Sequence, residues 1–188
     1  KNIKIKAISV HIGSQITSIS PYRKTLNVIK KIIKLSKINF EYIDLGGGFG
    51  IQYNKNEKRI NIKEYSKLVQ KFQRDTNCKI IFEPGRYIVG NTGSLISKIV
   101  FIKKNKSKYF IILDAGMNDF MRPALYNARH EILSAFKSKK RIYGNIEFVG
   151  PICESTDTFL KYRKFPKIDE GDYIAITNVG AYGSTLSS

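Results

Sequence analysis

Up to about Gly90 the apolar residues of this chain alternate between two spacings. Around residues 4–10, Ile3, Ile5, Ala7 and Ser9 fall on one side and Ile8 and Val10 on the other, the period of a strand. From Pro21 the spacing becomes helical, with Tyr22, Leu26, Ile29, Ile33 and Leu35 on one face; Ser20 stands where an N-cap is expected and Pro21 at the first helical position. Residues 40–45 read as a second strand. Residues 62–72 read as a second amphipathic helix, with Tyr65, Leu68, Val69 and Phe72 on its apolar side, and residues 79–83 as a third strand. Repeated β-loop-α units predict a parallel sheet that binds ligands beyond the C-terminal ends of its strands. The pattern fits an open doubly wound sheet and a (β/α)8 barrel equally well.

After Gly90 the long helical stretches stop. Residues 94–103, 109–114, 141–149 and 172–177 read as strands separated by turn-forming segments such as Lys104–Ser107 and Glu170–Asp172. The expectation is two domains: residues 1–90, of β/α type, and residues 91–188, an antiparallel β domain.

Each strand of the first part runs into chemistry. The first ends at His11 and Ser14, the second at Gly46, Gly47 and Gly48, and the third at Glu83, Gly85 and Arg86. Side-chain-free backbone can approach an anion closely. A carboxylate and a guanidinium separated by Pro84-Gly85 either serve a ligand or bridge to one another across the turn. Taken singly, each strand end also fits an ordinary turn; in series, a histidine, a glycine loop and a Glu/Arg pair outline one cofactor pocket.

Composition narrows the classes. The 188 residues are 42% hydrophobic, enough for one good core or two small ones. No apolar run is long enough to span a bilayer, and the basic start is not followed by a signal-peptide core, so a soluble cytoplasmic protein is expected with no membrane partner. Two cysteines, Cys78 and Cys153, make no disulfide framework. A net charge of +18 suggests nucleic acid, but the lysines are spread along the whole chain among many Ile and Asn residues, as an AT-rich coding sequence produces. No specific nucleic-acid partner and no metal site are expected.

In order along the chain, VHIGSQI, DLGGGFG, FEPGRYIVG, DAGMNDFMRPALY, GPICESTD and GDYIAITNVGAYG resemble the diaminopimelate decarboxylases. These are pyridoxal 5'-phosphate enzymes of the alanine-racemase-like fold type, with a (β/α)8 barrel followed by a β domain. The resemblance covers nearly the whole chain, and six blocks in the family's order make it specific. It implies that residues 1–90 are the C-terminal part of the barrel. It implies decarboxylation of meso-2,6-diaminopimelate to L-lysine and CO2; the alternatives are another basic amino-acid or carboxynorspermidine decarboxylase of the same fold, or a non-catalytic pyridoxal-phosphate-binding homologue.

The same resemblance implies the roles of single residues. His11 matches the histidine that stacks on the pyridine ring. Ser14 and the loop of Gly46, Gly47 and Gly48 match phosphate contacts, joined by Gly85 and Arg86 near the phosphate or the substrate carboxylate. Glu83 matches the acid facing the pyridine nitrogen, where a carboxylate keeps the ring protonated and electron-withdrawing. Arg122 is placed to hold the far carboxylate of the substrate, Glu154 its far ammonium, with Tyr126 assisting. Tyr182 matches a tyrosine that contacts both cofactor and substrate. Cys153 matches the proton donor, since a thiol is mostly protonated near neutrality; a small buried cysteine, the reading given to Cys78, is its plain alternative. His130 receives no role. The family's Cys153 segment reaches the partner's barrel, so a homodimer with shared sites is implied.

The family's Schiff-base lysine lies on the first barrel strand, and no lysine here matches its motif. A complete barrel also takes about 250 residues, so the chain is expected to belong to a longer enzyme and to be inactive by itself. Incubation of the isolated polypeptide with pyridoxal phosphate and labelled meso-diaminopimelate should release no CO2 above background.

Overall fold

The computed structural model describes residues 3–54 and 56–188. They form two compact units, one comprising residues through Gln52 together with Asn56–Ile88, the other residues 53–54 with Val89–Ser188.

In the first unit, strands β1 (Ala7–Ser9), β2 (Tyr42–Asp44) and β3 (Lys79–Ile81) are parallel and lie in the order β1-β2-β3. The paired segments are shorter than the alternation suggested, although the ladder continues past them: Val10 N–H donates to Asp44 O at 3.0 Å, and Leu45 N–H to Ile81 O at 3.0 Å. Helices α1 (Ser20–Ser36) and α2 (Ile62–Thr76) connect the strands. Ser20 lies inside α1 and does not cap it; Ile19 holds the cap position with no side-chain bond. Ile19 is buried, so apolar docking fixes the entry of this helix where a hydroxyl cap was expected. In α2 the local signal does operate. The Asn61 side chain accepts from the Glu64 N–H at 3.1 Å, and Asn77 closes the helix in the left-handed region at φ 53°. Tyr22, Leu26 and Ile29 of α1 and Tyr65, Val69 and Phe72 of α2 pack with Ile43 in one core.

A short helix, α3 (Arg86–Val89), follows β3. The second unit contains β4 (Ser94–Asn105), β5 (Lys108–Leu113), helix α4 (Arg122–Tyr126), β6 (Ile132–Ser134), β7 (Arg141–Val149), β8 (Thr158–Pro166) and β9 (Tyr173–Thr177). Its sheet order is β6-β9-β4-β5-β7-β8. The expected purely antiparallel domain is therefore corrected: β5 and β7 pair in parallel, in register from Lys108 with Asn145 to Ile112 with Val149. The long connection through α4 and β6 carries the chain back to the same sheet end, as a parallel pair requires.

Two strands escaped the pattern. β8 carries Lys161, Arg163 and Lys164 between Phe159 and Phe165, and its charges conceal the alternation. One of them has a structural use: Lys161 pairs at 2.8 Å with Glu147, a buried carboxylate opposite it on β7. β6 is only three residues long. The core of this unit is built on Ile99, Ile111, Leu113, Ile146, Phe148, Ile174 and Ile176, all fully inaccessible.

Burial separates the costs of two truncations in the first unit. Phe72→Ala should lower the unfolding free energy by about 3–5 kcal/mol, and exposed Lys31→Ala on α1 should change it by less than about 0.5 kcal/mol, both read from urea-unfolding curves.

Candidate active site

The loop after β2 is packed backbone against backbone. A Cβ added to Gly47 would lie 2.2 Å from the carbonyl oxygen of Glu83, one on Gly46 would lie 2.6 Å from Val10 O, and one on Gly48 would lie 2.2 Å from Gly13 O. Gly46 and Gly48 also have positive φ, +62° and +88°, so two separate constraints exclude side chains there. The loop is pinned on both flanks. Glu83 N–H donates to Gly46 O at 2.8 Å, Ile16 N–H to Gly48 O at 2.9 Å, and Gly47 N–H to His11 Nδ1 at 3.4 Å. From below, Tyr22 Oη donates to Gly47 O at 3.4 Å. Tyr22 belongs to an aromatic group with Phe49 and Tyr65, at centroid distances of 5.3 and 4.9 Å, and burial pushes its phenol up to about 12. It remains a neutral hydrogen-bond donor.

His11, the glycine loop and Glu83 thus come together at one end of the three strands. The imidazole and the Glu83 side chain are exposed there, whereas Gly47 is buried. Arg86, at the start of α3, is buried, and its Nη2 donates to Ser14 Oγ at 3.2 Å. The third strand end therefore reaches back across the second to the first. Gly85 is exposed, and its carbonyl accepts from Ile88 N–H at 3.0 Å. The Gly46 N–H donates to Asp44 Oδ1 at 2.8 Å, so the guanidinium and the hydroxyl, beside a closely packed glycine loop, are the groups suited to a dianionic phosphate. An exposed carboxylate beside them suits a protonated ring nitrogen.

The second unit gathers another group. Arg122 is 6% exposed, which excludes a surface arginine. The rings of Tyr53, Tyr126 and Tyr182 surround its guanidinium, with centroids 5.8, 5.7 and 6.0 Å from Cζ. Nη2 lies 3.5 Å from Tyr53 Oη and Nε lies 3.4 Å from His130 Nε2. Tyr182 takes positive φ, 63°, in the turn after β9. Neither Tyr53 nor His130 was marked by local sequence. Tyr53 is distant from Arg122 along the chain and His130 lies eight residues beyond it, and a single tyrosine or histidine in a loop carries no pattern that periodicity or spacing could detect.

Cys153 and Glu154 lie in an exposed loop between β7 and β8. Cys153 is not the buried apolar cysteine of the plain alternative; Cys78, which is buried, fits that description. The loop is tied at its base by Asp157, whose buried carboxylate accepts from Met117 N–H at 2.7 Å and Ile152 N–H at 2.8 Å. Glu154 Oε1 accepts from Thr156 N–H, Thr156 Oγ1 and Ser155 Oγ, each at 3.2 Å. These donors, led by the Thr156 N–H, hold the Glu154 carboxyl below its ordinary range.

A family model described as the C-terminal sheet domain of pyridoxal-dependent decarboxylases matches residues 22–180. Diaminopimelate decarboxylase of Helicobacter pylori is 42% identical over the whole chain, which covers 47% of that protein. Its counterpart in Aquifex aeolicus is 40% identical, again over the whole chain and 45% of its own length. The crystal structure of an H. pylori diaminopimelate decarboxylase complexed with L-lysine superposes with a TM-score of 0.85 at 40% identity, covering 98% of this chain and 46% of that one. The chain spans about half the length of the relatives it matches. Among the described residues, no helix is long and apolar enough to cross a membrane.

The Glu154 environment has a pH signature. Its charged form is the one the donors favour, so the carboxylate persists as pH falls through the ordinary range and protonates only below it. Thr156→Val, which deletes the hydroxyl and keeps the N–H, should move the Glu154 midpoint upward in a carbon-detected NMR titration.

Proposed function

As the chain belongs to the pyridoxal-dependent decarboxylases, we propose that it forms about half of a diaminopimelate decarboxylase, which releases CO2 from meso-2,6-diaminopimelate and leaves L-lysine. The observation that carries this reading is the buried Arg122 guanidinium among three tyrosines. Ornithine and arginine have only cationic groups at their far ends, and a fixed guanidinium would repel them. Diaminopimelate ends in a carboxylate beside its ammonium, and the guanidinium fork matches that carboxylate. The names of the relatives, and L-lysine as ligand in the H. pylori structure, support the same substrate.

Pyridoxal 5'-phosphate, when bound, supplies an electron sink for the carbanion left by CO2 loss. Arg86, Ser14 and the loop of Gly46, Gly47 and Gly48 hold its phosphate, with Gly85 at the same turn. Glu83 holds a proton on the pyridine nitrogen through its carboxylate. His11 supports the flat face of the ring without competing for that proton. Arg122 orients the far carboxylate, and Tyr126 assists at the far ammonium. Glu154 takes the far ammonium, and its depressed titration keeps it anionic for that task. Tyr182, whose ring lies over Arg122, adds a contact to cofactor and substrate. Cys153 Sγ carries the proton delivered to the carbon that has lost CO2.

By this reading residues 1–90 are barrel and residues 91–188 the β domain. The enzyme acts as a homodimer in which the Cys153 loop serves the partner's site. It works in the cytoplasm on a small amino-acid substrate, with neither nucleic acid nor membrane as a partner.

The test uses a protein of the relatives' full length carrying this chain. Losing one partner of a desolvated charge pair costs about 2–5 kcal/mol, so Arg122→Ala should lower kcat/KM for meso-diaminopimelate by about thirtyfold or more. Turnover that survives the substitution would overturn the substrate assignment.

A further inference from the structure

We propose that His130 is a positioning residue for Arg122. Its neutral imidazole closes the Nε side of the guanidinium and aims the terminal nitrogens at the carboxylate of the ligand. The inference rests on the reading of Arg122 as the carboxylate grip, and it assigns the means by which this chain keeps that grip in place.

Hydrogen-bond logic at the two ring nitrogens fixes the state of the imidazole. Nδ1 lies 3.0 Å from the carbonyl oxygen of Thr177. A carbonyl offers only lone pairs, so Nδ1 carries the hydrogen and donates. Arg122 Nε lies 3.4 Å from Nε2. A guanidinium nitrogen only donates, so Nε2 must offer its lone pair. Both contacts are satisfied by the neutral Nδ1–H tautomer. An imidazolium would set N–H against N–H and one cation against another in a site from which water is excluded.

The ring is also fixed in orientation. His130 is 1% exposed. Tyr53 and Phe120 meet it edge to face, each at a centroid distance of 4.7 Å. Asn127 ends α4 in the left-handed region at φ 50°, and His130, on the way to β6, meets the side chain of Arg122 on that helix. The line Thr177 O, His130, Arg122 therefore joins β9 to α4 through one imidazole. Nε is a donor of the guanidinium that a ligand could otherwise draw to itself. With Nε held by His130, the plane of the guanidinium is set, and with it the direction in which the Nη edge meets a carboxylate.

The experiment compares two ligands in the full-length enzyme loaded with pyridoxal phosphate. L-Lysine keeps the far carboxylate, because CO2 leaves from the other end of diaminopimelate; cadaverine has the same length and lacks it. Dissociation constants for both are measured by calorimetry or by displacement. His130→Phe keeps a ring of similar shape and removes both nitrogens. His130→Asn retains a donor where Nδ1 lies but places no acceptor at Nε2. Both variants should weaken L-lysine by about tenfold to a hundredfold, the effect of a lost bond to a charged group, and leave cadaverine within about twofold. His130→Gln, whose amide oxygen reaches the Nε2 position, should recover most of the L-lysine affinity. If one of the first two variants does not fold, the other reports.

Unchanged L-lysine affinity in a folded variant overturns the proposal. So does an equal loss of both ligands, which would mark His130 as a packing residue only. Arg122→Ala separates the two readings. If it leaves the preference for L-lysine over cadaverine intact, the carboxylate grip itself is wrong. If it abolishes that preference while His130→Phe and His130→Asn preserve it, only the role of His130 fails.

Discussion

Close backbone contact at three glycines is the constraint on which the first unit's strand-end chemistry depends. Any side chain at Gly46, Gly47 or Gly48 would occupy space held by a carbonyl of Val10, Glu83 or Gly13. The segments that follow β1 and β3 can therefore close on the loop after β2, which brings His11, Ser14, Glu83 and Arg86 to one place. The nearness of a guanidinium and a hydroxyl follows from this approach. Tyr22 extends the constraint into the core: its hydroxyl holds Gly47 O while its ring packs on Phe49 and Tyr65.

The second unit reaches its polar site by a different route. Here a cation is buried, and three tyrosine rings, a tyrosine hydroxyl and an imidazole nitrogen surround it. Burying a guanidinium is costly unless its donors are engaged. Arg122 meets that cost with partners drawn from three separate stretches of chain: Tyr53 before α2, His130 between α4 and β6, and Tyr182 after β9. The Cys153 loop shows the same economy. Asp157 gathers two backbone N–H groups at its base, so the loop can expose a thiol and a carboxylate without losing its shape.

Much of the architecture was legible because local physics coincides with the fold. The alternation between strand and helix spacing up to Gly90 marked every strand and long helix of the first unit. β7 runs from Arg141 to Val149, as its alternation predicted. Where expectation and structure part, a long-range contact is responsible. Ser20 does not cap α1 because Ile19 is drawn into the core. β8 was concealed by lysines and an arginine whose burial or exposure depends on the neighbouring strand. The parallel pairing of β5 with β7 leaves no trace in either strand, since pairing direction is set by the route of the connection.

The sequence by itself determined the periodicity of the elements, the glycines that close approach demands and the order of the motif blocks, because these depend on each residue's own geometry and near neighbours. Only the tertiary structure decided which residues share a site. It made Arg122 a buried cation and gave His130 a partner eight residues away. It also set Glu147 against Lys161 across two strands. Such relations are distances through space, and a chain that folds back on itself does not write them into its local pattern.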